Sequence, residues 1–543
     1  MEYSSIQLND LPDEIIIIIL KKLHTSEVLY SLIGVNKRLH RIANDSIFTS
    51  NLTFISLVKK EFRTNRYYKI FTRNLSLIKS FDGISYEFDD ARLNRFCLEI
   101  LPNINEKIKQ LTIDSSCMER ILWLTNYPNL RTLTLYNLHP ETFNDLLCDQ
   151  SYFIRHYQFQ IFSLILYMKE GALRRNAFGV KNINTYIFGK ICNMFKNLKY
   201  FNFKSSSDYE QLTFTRLSSI EFSSNLLELH VTLDSIMDCL YLLDHLNQLH
   251  TLDVTIYPRH CPDWSLVVNN NKVPNLKYFS LIHDDDLGKY KEFLIPLLQK
   301  MSNLEELNLC FFAPFVPIID GNDLKENIIN YMSKLNKFSF NIRSCLRLNN
   351  QLSQLTNADI QDTFRNFKNN RIVSYVDYFQ KGNLSHYHIY SYPYKWTFYD
   401  DITNNFPGGL YRCVREISLC DGHPFKHEFF CRITQSFPYL EKLRLHNYEA
   451  QENDNLQSLI VVYPYLTELD LIHSHETYID EFLNHCKTCF LKNIHLTVDY
   501  NTLKMATNDF TKEETQFNPF NPAWYLRDEM QNEKEIFCIL LSS

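Results

Sequence analysis

The chain has 543 residues, of which 45% are hydrophobic and 22% are charged, and this composition is typical of a folded protein. Its formal net charge of -6 gives no overall attraction to nucleic acid or to an anionic membrane. Only 11 residues are glycine, and neither of the glycine-rich motifs that cradle phosphates is present. We therefore expect neither nucleic acid nor a membrane among its partners.

The 14 cysteines are scattered from Cys97 to Cys538, which is unlike the dense spacing of a small disulfide scaffold. The N-terminus lacks the basic region and cleavage site of a signal peptide. No apolar run approaches the roughly 18 residues that span a bilayer. These features predict a soluble chain with reduced thiols in the cytoplasm or nucleus.

Apolar residues recur at helical spacing over residues 8–42. Five consecutive isoleucines at 15–19 have a high strand propensity and could also be read as a strand. Acidic Asp13 and Glu14 precede them and basic Lys21 and Lys22 follow, which suits the helix macrodipole. The sequence therefore predicts a small helical unit here.

The segment LNDLPDEIIIIILKKLHTSEVLYSLIGVNKRLHRIA resembles an F-box domain. Two positions depart from the family pattern, because Asn36 stands at the usual Cys and Leu39 at the usual aromatic residue. The resemblance implies docking on a Skp-type adaptor of a cullin-RING ubiquitin ligase; the alternative is an ordinary helical hairpin. The residues expected to contact the adaptor are Leu8, Leu11, Pro12, Glu14, Ile15, Ile19, Leu20, Leu23, Leu29, Leu32 and Val35.

From about residue 50 onward an L-x-x-L-x-L phrase recurs. The first leucines of its clear copies stand at 226, 249, 276, 304 and 335, then at 440 and 466, in steps of 23 to 31 residues. Leucine-rich repeats run about 20 to 29 residues, so the period fits with slight expansion. Helical patterns lie between copies, at 287–300, 323–334 and 478–490.

We therefore predict the α/β class, with an N-terminal helical F-box at 1–48, a leucine-rich-repeat-like α/β solenoid shaped as a horseshoe at 49–504, and a C-terminal capping segment at 505–543. No linker divides the repeats, so they are expected to form one continuous array. The second half of the chain further resembles an expanded F-box family found in bdelloid rotifers. The resemblance is carried by the successive segments NNFPGG, VREISL, HPFKHEFF and ITQSFPYLEKLRLHN.

Two intervals, 139–194 and 343–413, break the repeat period. The second contains the aromatic run HYHIYSYPYKWTFYDD. Such a run either fills the core of a divergent repeat or forms an exposed binding loop, and core packing is favoured.

We call the leucines of the repeated phrase the frame leucines, and we expect them to be buried. Strand residues that alternate with them are expected to be exposed on one face of the sheet and to bind a protein target. The predicted target-binding residues are Glu228, His230, Asp253, Tyr278, Glu306, Lys337, Lys442, Arg444, His446, Glu468 and Asp470; the same alternation exposes Thr232, Thr251, Thr255, Ser280, Asn308, Ser339 and Asn341. The sign of charge changes along this set, which favours a target of mixed charge over a polyanion.

The chain lacks a recognisable catalytic motif, so we expect a non-enzymatic protein without cofactor or metal. Cys486 and Cys489 supply only half of a zinc-ribbon spacing. A denser group of potential zinc ligands is Cys413, Cys420, His423, His427 and Cys431, and a loop histidine pair, His473 and His475, could also act in acid/base work. The predicted function is that of a substrate-recognition subunit of a Skp–cullin–F-box ubiquitin ligase; the alternative is a repeat scaffold that sequesters a protein partner.

Overall fold

The structure of the chain is a computed structural model. It describes residues 8–54, 90–139, 143–144, 146–148, 151–168, 183–204, 211–214, 225–257, 273–287, 290–315, 318–347, 356–365, 367, 371–379, 383–451, 459–508, 529–531 and 534–541. None of the helices in these ranges is long and apolar enough to cross a membrane.

The N-terminus is a group of short helices, as the sequence predicts. A 3-10 turn at Leu8–Asp10 precedes the helices α1 Asp13–Leu20, α2 Thr25–Leu32, α3 Lys37–Ala43 and α4 Ser46–Thr49. The isoleucine run is helical, with Asp13 and Glu14 in the first turn of α1. The helical prediction for this segment is confirmed.

Twelve strands of the described residues form one sheet after these helices. Its strands are β1 Asn51–Phe54, β2 Gln110–Asp114, β3 Thr132–Leu138, β4 Ser163–Met168, β5 Tyr200–Lys204, β6 Glu228–Leu233, β7 Thr251–Ile256, β8 Tyr278–Asp286, β9 Glu306–Pro314, β10 Lys337–Arg347, β11 Arg371–Phe379 and β12 Leu384–Tyr392. Strands β1 to β10 lie side by side in chain order and run parallel, whereas β12 runs antiparallel to β10 and places β11 at the edge.

Helices connect these strands, because a parallel pair needs a crossover. They are α5 Asp90–Arg95, α6 Leu101–Ile104, α7 Ser115–Leu124, α8 Tyr152–Tyr157, α9 Ile183–Met194, α10 Ile236–His245, α11 Tyr290–Gln299, α12 Gly321–Asn327 and α13 Asn357–Thr363. The frame leucines point to the side where the helices pack: Leu226, Leu249, Leu276 and Leu304 are all at most 1% exposed.

Toward the C-terminus, seven strands of the part that the structure describes form a second sheet. Its order is β13 Phe398–Ile402, β14 Glu416–Cys420, β15 Lys442–Asn447, β17 Glu468–Ser474, β19 Ile494–Asp499, β21 Lys534–Leu541 and β20 Glu529–Gln531, with β21 antiparallel to β19. A two-stranded sheet pairs β16 Val461–Tyr463 with β18 Thr488–Phe490. Helices α14 His427–Ser436, α15 Glu476–Leu483 and α16 Tyr500–Ala506 accompany these strands.

The body is therefore a mixed α/β structure with a large sheet, and its strands do not form one uninterrupted sheet. The expected continuity fails at the antiparallel pair of β11 and β12, after which β13 starts the second sheet. The helix predicted over 478–490 is also wrong in its second half, because α15 ends at Leu483 and β18 begins at Thr488. Between them the Asn484 side chain accepts a hydrogen bond from the Cys486 N–H at 2.9 Å, which makes a turn.

The aromatic run at 386–401 forms the end of β12, the start of β13 and the link between them. Its large side chains are buried rather than displayed; they are Tyr387, Tyr390, Tyr394, Trp396, Phe398 and Tyr399. The rings of Tyr390 and Tyr399 lie 5.5 Å apart and nearly perpendicular, which is a favourable edge-to-face arrangement. This segment packs as core, as the sequence favoured.

The N-terminal helices share one apolar cluster with the large sheet. Ile16 and Leu29 are fully buried in the same cluster as the strand residues Leu52, Leu111 and Leu133. Since isolated helices of eight residues are marginal in water, packing against the sheet stabilises this unit.

Candidate functional site

The first helix displays part of its apolar surface to solvent. Ile15, Ile18 and Ile19 are 42%, 56% and 43% exposed, whereas Ile16 and Leu20 are at most 4% exposed. Positions i, i+3 and i+4 lie on one side of a helix, so the three exposed isoleucines form a common stripe. An exposed apolar stripe of this kind marks a protein interface.

Further apolar side chains are exposed in the links that follow α1 and α2. Leu23 is 51% exposed and Val35 is 61% exposed, and Leu8 ahead of α1 is 40% exposed. We call the residues Leu8, Ile15, Ile18, Ile19, Leu23 and Val35 the N-terminal apolar surface.

The predicted adaptor-contacting residues therefore divide into three groups. Leu8, Pro12, Glu14, Ile15, Ile19, Leu23 and Val35 are exposed, and Leu11 and Leu32 are half-buried. Leu20 and Leu29 are 4% and 0% exposed, so in this structure neither presents surface to a partner. Helical spacing alone did not select Ile18 as a contact, although it completes the stripe with Ile15 and Ile19.

An ion-pair cluster joins the start of α1 to α3. The Nε of Arg38 donates to Oδ1 of Asp13 at 2.7 Å, and Arg41 pairs with the other carboxylate oxygen. Arg38 also donates to the backbone carbonyl of Leu11. The hydrogen bond from Arg38 lowers the pKa of Asp13 below its usual value. These contacts hold α1, and with it the exposed stripe, in a fixed orientation against α3.

The two departures from the family pattern have local structural roles. Asn36 is the N-cap of α3, and its side-chain oxygen accepts a hydrogen bond from the Leu39 N–H at 2.8 Å. Asparagine is among the best N-cap residues. Leu39 is 5% exposed and packs in the core. Both substitutions are therefore compatible with the helical unit.

The predicted target-binding residues occupy the sheet face opposite the frame leucines, but they are divided between two sheets. In the large sheet the register aligns Glu228 with Thr251, Tyr278, Glu306 and Lys337 in one row across β6 to β10. Lys337 is exposed and Glu228, His230, Asp253, Tyr278 and Glu306 are half-buried. The later residues, from Lys442 onward, stand in the seven-stranded sheet.

Several neighbours in these rows were expected to be exposed and are not. They are Thr232, Thr255, Ser280, Asn308, Ser339 and Asn341, which are 2% to 9% exposed. On β9 and β10 the link between β12 and β13 covers them, since Lys395 donates to Asn308 at 3.1 Å and Asn341 donates to the Tyr394 hydroxyl at 2.9 Å.

His230 stands between two carboxylates on this face. Its Nδ1 lies 3.1 Å from Asp253 Oδ2 and its Nε2 lies 3.0 Å from Glu228 Oε1. Burial lowers the pKa of His230, but the hydrogen bonds and charges of Asp253 and Glu228 outweigh burial and raise the pKa above its ordinary value. Each ring nitrogen of His230 therefore contacts one of the two carboxylates.

The basic residues predicted on β15 are also paired within the chain. Lys442 Nζ lies 2.6 Å from Glu468 Oε2, and an Arg444 guanidinium nitrogen lies 2.8 Å from Oε1 of Glu416, which is 4% exposed. Arg444 also lies 4.0 Å from Asp470. Lys442 and Arg444 therefore have a structural role within the chain, and their contact with a target stays a prediction. His446 is exposed and its ring stacks on His473 at 5.1 Å.

Three tyrosines that the sequence pattern did not single out lie on the same face of the large sheet. Tyr136, Tyr167 and Tyr200 are half-buried, and the rings of Tyr136 and Tyr167 stack in parallel at 4.4 Å. Burial raises the pKa of both tyrosines. Tyr167 falls in the interval 139–194, where the repeat period breaks, whereas extending the strand alternation to the strands that carry Tyr136 and Tyr200 would have found the other two.

The candidate zinc ligands make other contacts. His427 Nδ1 lies 2.6 Å from Glu481 Oε1 and its Nε2 lies 2.8 Å from the Leu459 carbonyl oxygen, while Cys413 donates to the Tyr394 carbonyl. His475 caps α15 by accepting from the Thr477 N–H. Within the described residues, no three His, Cys, Asp or Glu side chains are grouped to hold a metal ion.

Residues 8–51 match the family model of the F-box domain. The match begins at the turn before α1 and ends at the first residue of β1, so it includes the N-terminal apolar surface and the Asp13–Arg38 pair. None of the curated proteins matches the chain. F-box domains typically bind Skp-type adaptors in cullin complexes, and the chain carries such a domain at its N-terminus.

Proposed function

We propose that the chain is a non-catalytic substrate receptor of a Skp–cullin–F-box type ubiquitin ligase, acting in the cytoplasm or nucleus. In this proposal the F-box domain binds the adaptor and the α/β body holds a protein target. The observation that carries it is the exposed apolar stripe of Ile15, Ile18 and Ile19 on an otherwise well-packed domain.

We further propose that the body is a leucine-rich-repeat-like solenoid. One recurring contact supports this: an asparagine directly before a frame leucine donates to a backbone carbonyl of the preceding repeat. Asn225 donates to the Lys196 carbonyl at 2.6 Å, Asn275 to Asn247 at 2.9 Å and Asn303 to Pro274 at 2.9 Å. Stacking of equivalent units through nearest-neighbour contacts is the defining property of a solenoid.

The same contact recurs in earlier copies, and an aromatic pair replaces it in the second sheet. Asn129 donates to Glu106 at 2.6 Å and Asn197 to Phe159 at 2.7 Å. Before the frame leucines of β15 and β17 the position is tyrosine, and the rings of Tyr439 and Tyr465 lie 5.4 Å apart. A horseshoe shape, a C-terminal capping role for residues 505–543 and kinship with the rotifer family remain predictions.

The adaptor interaction can be tested with the full-length protein and a purified Skp-type adaptor. An Ile18→Glu variant places a charge in the apolar stripe and should weaken binding by at least about thirtyfold, since anchors of this kind cost about 2 kcal/mol or more when lost. Ile460→Glu is the matched control, because Ile460 is 51% exposed and lies outside the F-box domain. Calorimetry that finds no adaptor binding by the unaltered chain, or equal binding by Ile18→Glu, would overturn the proposal and favour a scaffold without ubiquitin transfer.

A further inference from the structure

The N-terminal ends of four neighbouring strands in the large sheet carry a row of mostly basic residues. The residues directly before β2, β3, β4 and β5 are Lys109, Arg131, Phe162 and Lys199. Backbone hydrogen bonds join them in succession: the Arg131 N–H donates to the Lys109 carbonyl at 2.8 Å, and the Phe162 and Lys199 N–H groups donate to the preceding member at 2.9 Å. The four side chains therefore leave adjacent strands, about 5 Å apart, in one row. We call these four residues the basic edge.

The ring of Phe162 contacts the cations on both sides of it. The guanidinium carbon of Arg131 lies 4.9 Å from the centre of the Phe162 ring, and Lys199 Nζ lies 5.7 Å from it. Both distances are within the range of a cation–π contact, so the ring restricts two long side chains that would otherwise be flexible. Because these side chains are already restricted, their loss of conformational entropy on binding a ligand is reduced.

The three cations of the basic edge are not neutralised by the part of the chain that the structure describes. Lys109, Arg131 and Lys199 are exposed, and none of them is paired with a carboxylate in the described ranges. Lys277 stands at the equivalent position before β8 and differs, because its Nζ lies 3.4 Å from Oε1 of Glu305. The charge of the basic edge is therefore available to a partner.

The loops that lead into these four strands have a positive excess. They cover residues 105–109, 125–131, 158–162 and 195–199, all of which the structure describes. Their one carboxylate is that of Glu106, whereas their five cations are Lys107, Lys109, Arg131, Lys196 and Lys199. The amines of Lys107 and Lys196 donate to the uncharged residues Asn44 and Asn193, so these contacts do not reduce the charge. The N-terminal end of β2 to β5 is therefore locally basic on a chain whose formal net charge is -6.

A short acidic peptide fits this row better than a long polyanion. Four neighbouring strand positions span about 15 Å, which four or five residues of an extended peptide cover. The next strand, β6, begins with the carboxylate of Glu228, and a longer anionic chain would approach that carboxylate as well as the net negative charge of the protein. We infer that the basic edge binds a short segment of the protein target that is rich in aspartate or glutamate. This inference rests on the proposed function, because it assumes that the body holds a target.

The test uses the full-length protein and fluorescent peptides of about 12 residues, in which aspartate or glutamate alternates with glycine or serine. Matched peptides replace each acidic residue with asparagine or glutamine, which keep the shape of the side chain but remove its charge. At low salt the acidic peptides should bind at least about tenfold more tightly than the amide peptides, and about 0.5 M salt should remove most of that difference. Equal binding by the two sets, or no binding by either, would overturn the inference.

Variants locate the site. Arg131→Gln combined with Lys199→Gln should weaken the binding of acidic peptides by about fivefold or more, because two of the three cations are lost. Phe162→Leu keeps the cations but removes the ring between them, and it should weaken the same peptides by about threefold. Lys325→Gln combined with Arg412→Gln is the matched control, because it removes one lysine and one arginine at exposed positions on α12 and before β14. Circular dichroism should show each variant folded; an equal loss in the control pair would contradict the assignment.

The same preparations are tested with single-stranded DNA and with the adaptor, so the proposals fail separately. A DNA of about 12 nucleotides that binds more tightly than the acidic peptides would make the basic edge a nucleic-acid site and overturn the inference. A chain that binds the adaptor but does not distinguish acidic from amide peptides overturns the inference alone. A chain that selects acidic peptides but does not bind the adaptor overturns the ligase assignment and leaves the peptide site standing.

Discussion

Arg343 on β10 of the large sheet pairs with Asp400 on β13 of the second sheet, with a guanidinium nitrogen 3.4 Å from Oδ2. Asp400 is 2% exposed, and Arg343 also pairs with the adjacent Asp401. Fifty-seven positions separate Arg343 from Asp400 in the sequence, so the pair joins the two sheets at the point where the strand order breaks.

We expect Arg343→Met to lower the free energy of unfolding by about 3 kcal/mol, because removing one partner leaves the buried carboxylate of Asp400 without its counter-charge. Urea unfolding monitored by tryptophan fluorescence measures this change; Trp396 lies in the adjoining aromatic core. Arg365→Met is the matched control, since Arg365 is 73% exposed and its pair with Asp362 should contribute less than about 1 kcal/mol. Similar losses in the two variants would contradict the role given to Arg343.

Reversing Lys442 and Arg444 to glutamate should destabilise the chain. The new carboxylates would face Glu468 and the buried Glu416, so two attractive pairs become repulsive. A loss of about 3 kcal/mol or more is expected for the buried position. Differential scanning calorimetry checks this; an unchanged melting temperature would restore these residues as candidates for target contact.

The sequence alone predicted burial correctly where the buried residues recur at a short and regular spacing along the chain. The leucine phrase identified strand frames whose residues Leu249, Leu276 and Leu466 are fully buried, and the charges around the isoleucine run identified α1. The sequence did not indicate which side of α1 faces the core, because five isoleucines in succession make every side of the helix equally apolar. Tertiary packing selects Ile16 for the core and leaves Ile18 outside.

Contacts between residues that are distant in the sequence could not be predicted either. Nothing near Arg444 in the chain indicates that its charge meets Glu416, and nothing near Asn341 indicates that the Tyr394 link covers it. These contacts depend on strand order and on the fold of the aromatic segment. The alternation rule gave the correct sheet face for Glu228 and Tyr278, but it could not say which positions on that face were already occupied.

His230 should contribute a pH-dependent term to stability. Its folded pKa is raised above about 6.5 by Asp253 and Glu228, so its stabilising contribution is fully present below the unfolded pKa and is lost as pH rises through the folded pKa. The stability difference between the unaltered chain and His230→Gln should therefore be larger at about pH 6 than at about pH 8.5. Thermal unfolding at both values measures it.

The comparison with His230→Gln is needed because the titration of other histidines changes the stability of the chain in the opposite direction as pH varies. Burial, together with the charge of Arg343, lowers the pKa of His388 well below its ordinary value, so His388 opposes stability at low pH in both proteins. The variant Asp253→Asn removes one of the two carboxylates that raise the pKa of His230. It should therefore reduce the pH dependence of the stability difference. A difference that grows as pH rises would contradict the assignment.

We expect the folded chain to contain no stoichiometric zinc. The nitrogens of His427 are directed to Glu481 and to the Leu459 carbonyl, and Cys489 lies on β18 rather than on a helix with Cys486. Since structural zinc sites need four placed ligands and their apo forms unfold, chelation should leave the circular dichroism spectrum unchanged. Elemental analysis that finds one equivalent of zinc, lost together with helicity under chelator, would show the prediction wrong.

The F-box domain allows structural and interfacial leucines to be separated. Leu29→Ala should lower the free energy of unfolding by about 2 to 5 kcal/mol, because Leu29 is 0% exposed and its removal leaves a cavity in the core shared with the large sheet. Leu23→Ala should change stability by no more than about 0.5 kcal/mol, because Leu23 is 51% exposed. Urea unfolding gives both values.

Adaptor binding should follow a different order. Leu23→Ala removes part of the N-terminal apolar surface and should weaken adaptor binding by about tenfold while the protein remains folded. Leu29→Ala should bind with nearly unaltered affinity at temperatures where it remains folded, since Leu29 does not reach the surface. Calorimetry at a low temperature, together with the fraction folded under the same conditions, separates these effects. If Leu29→Ala weakened binding more than Leu23→Ala while fully folded, the adaptor would contact a rearranged helical unit, and the N-terminal apolar surface as defined here would not be the interface.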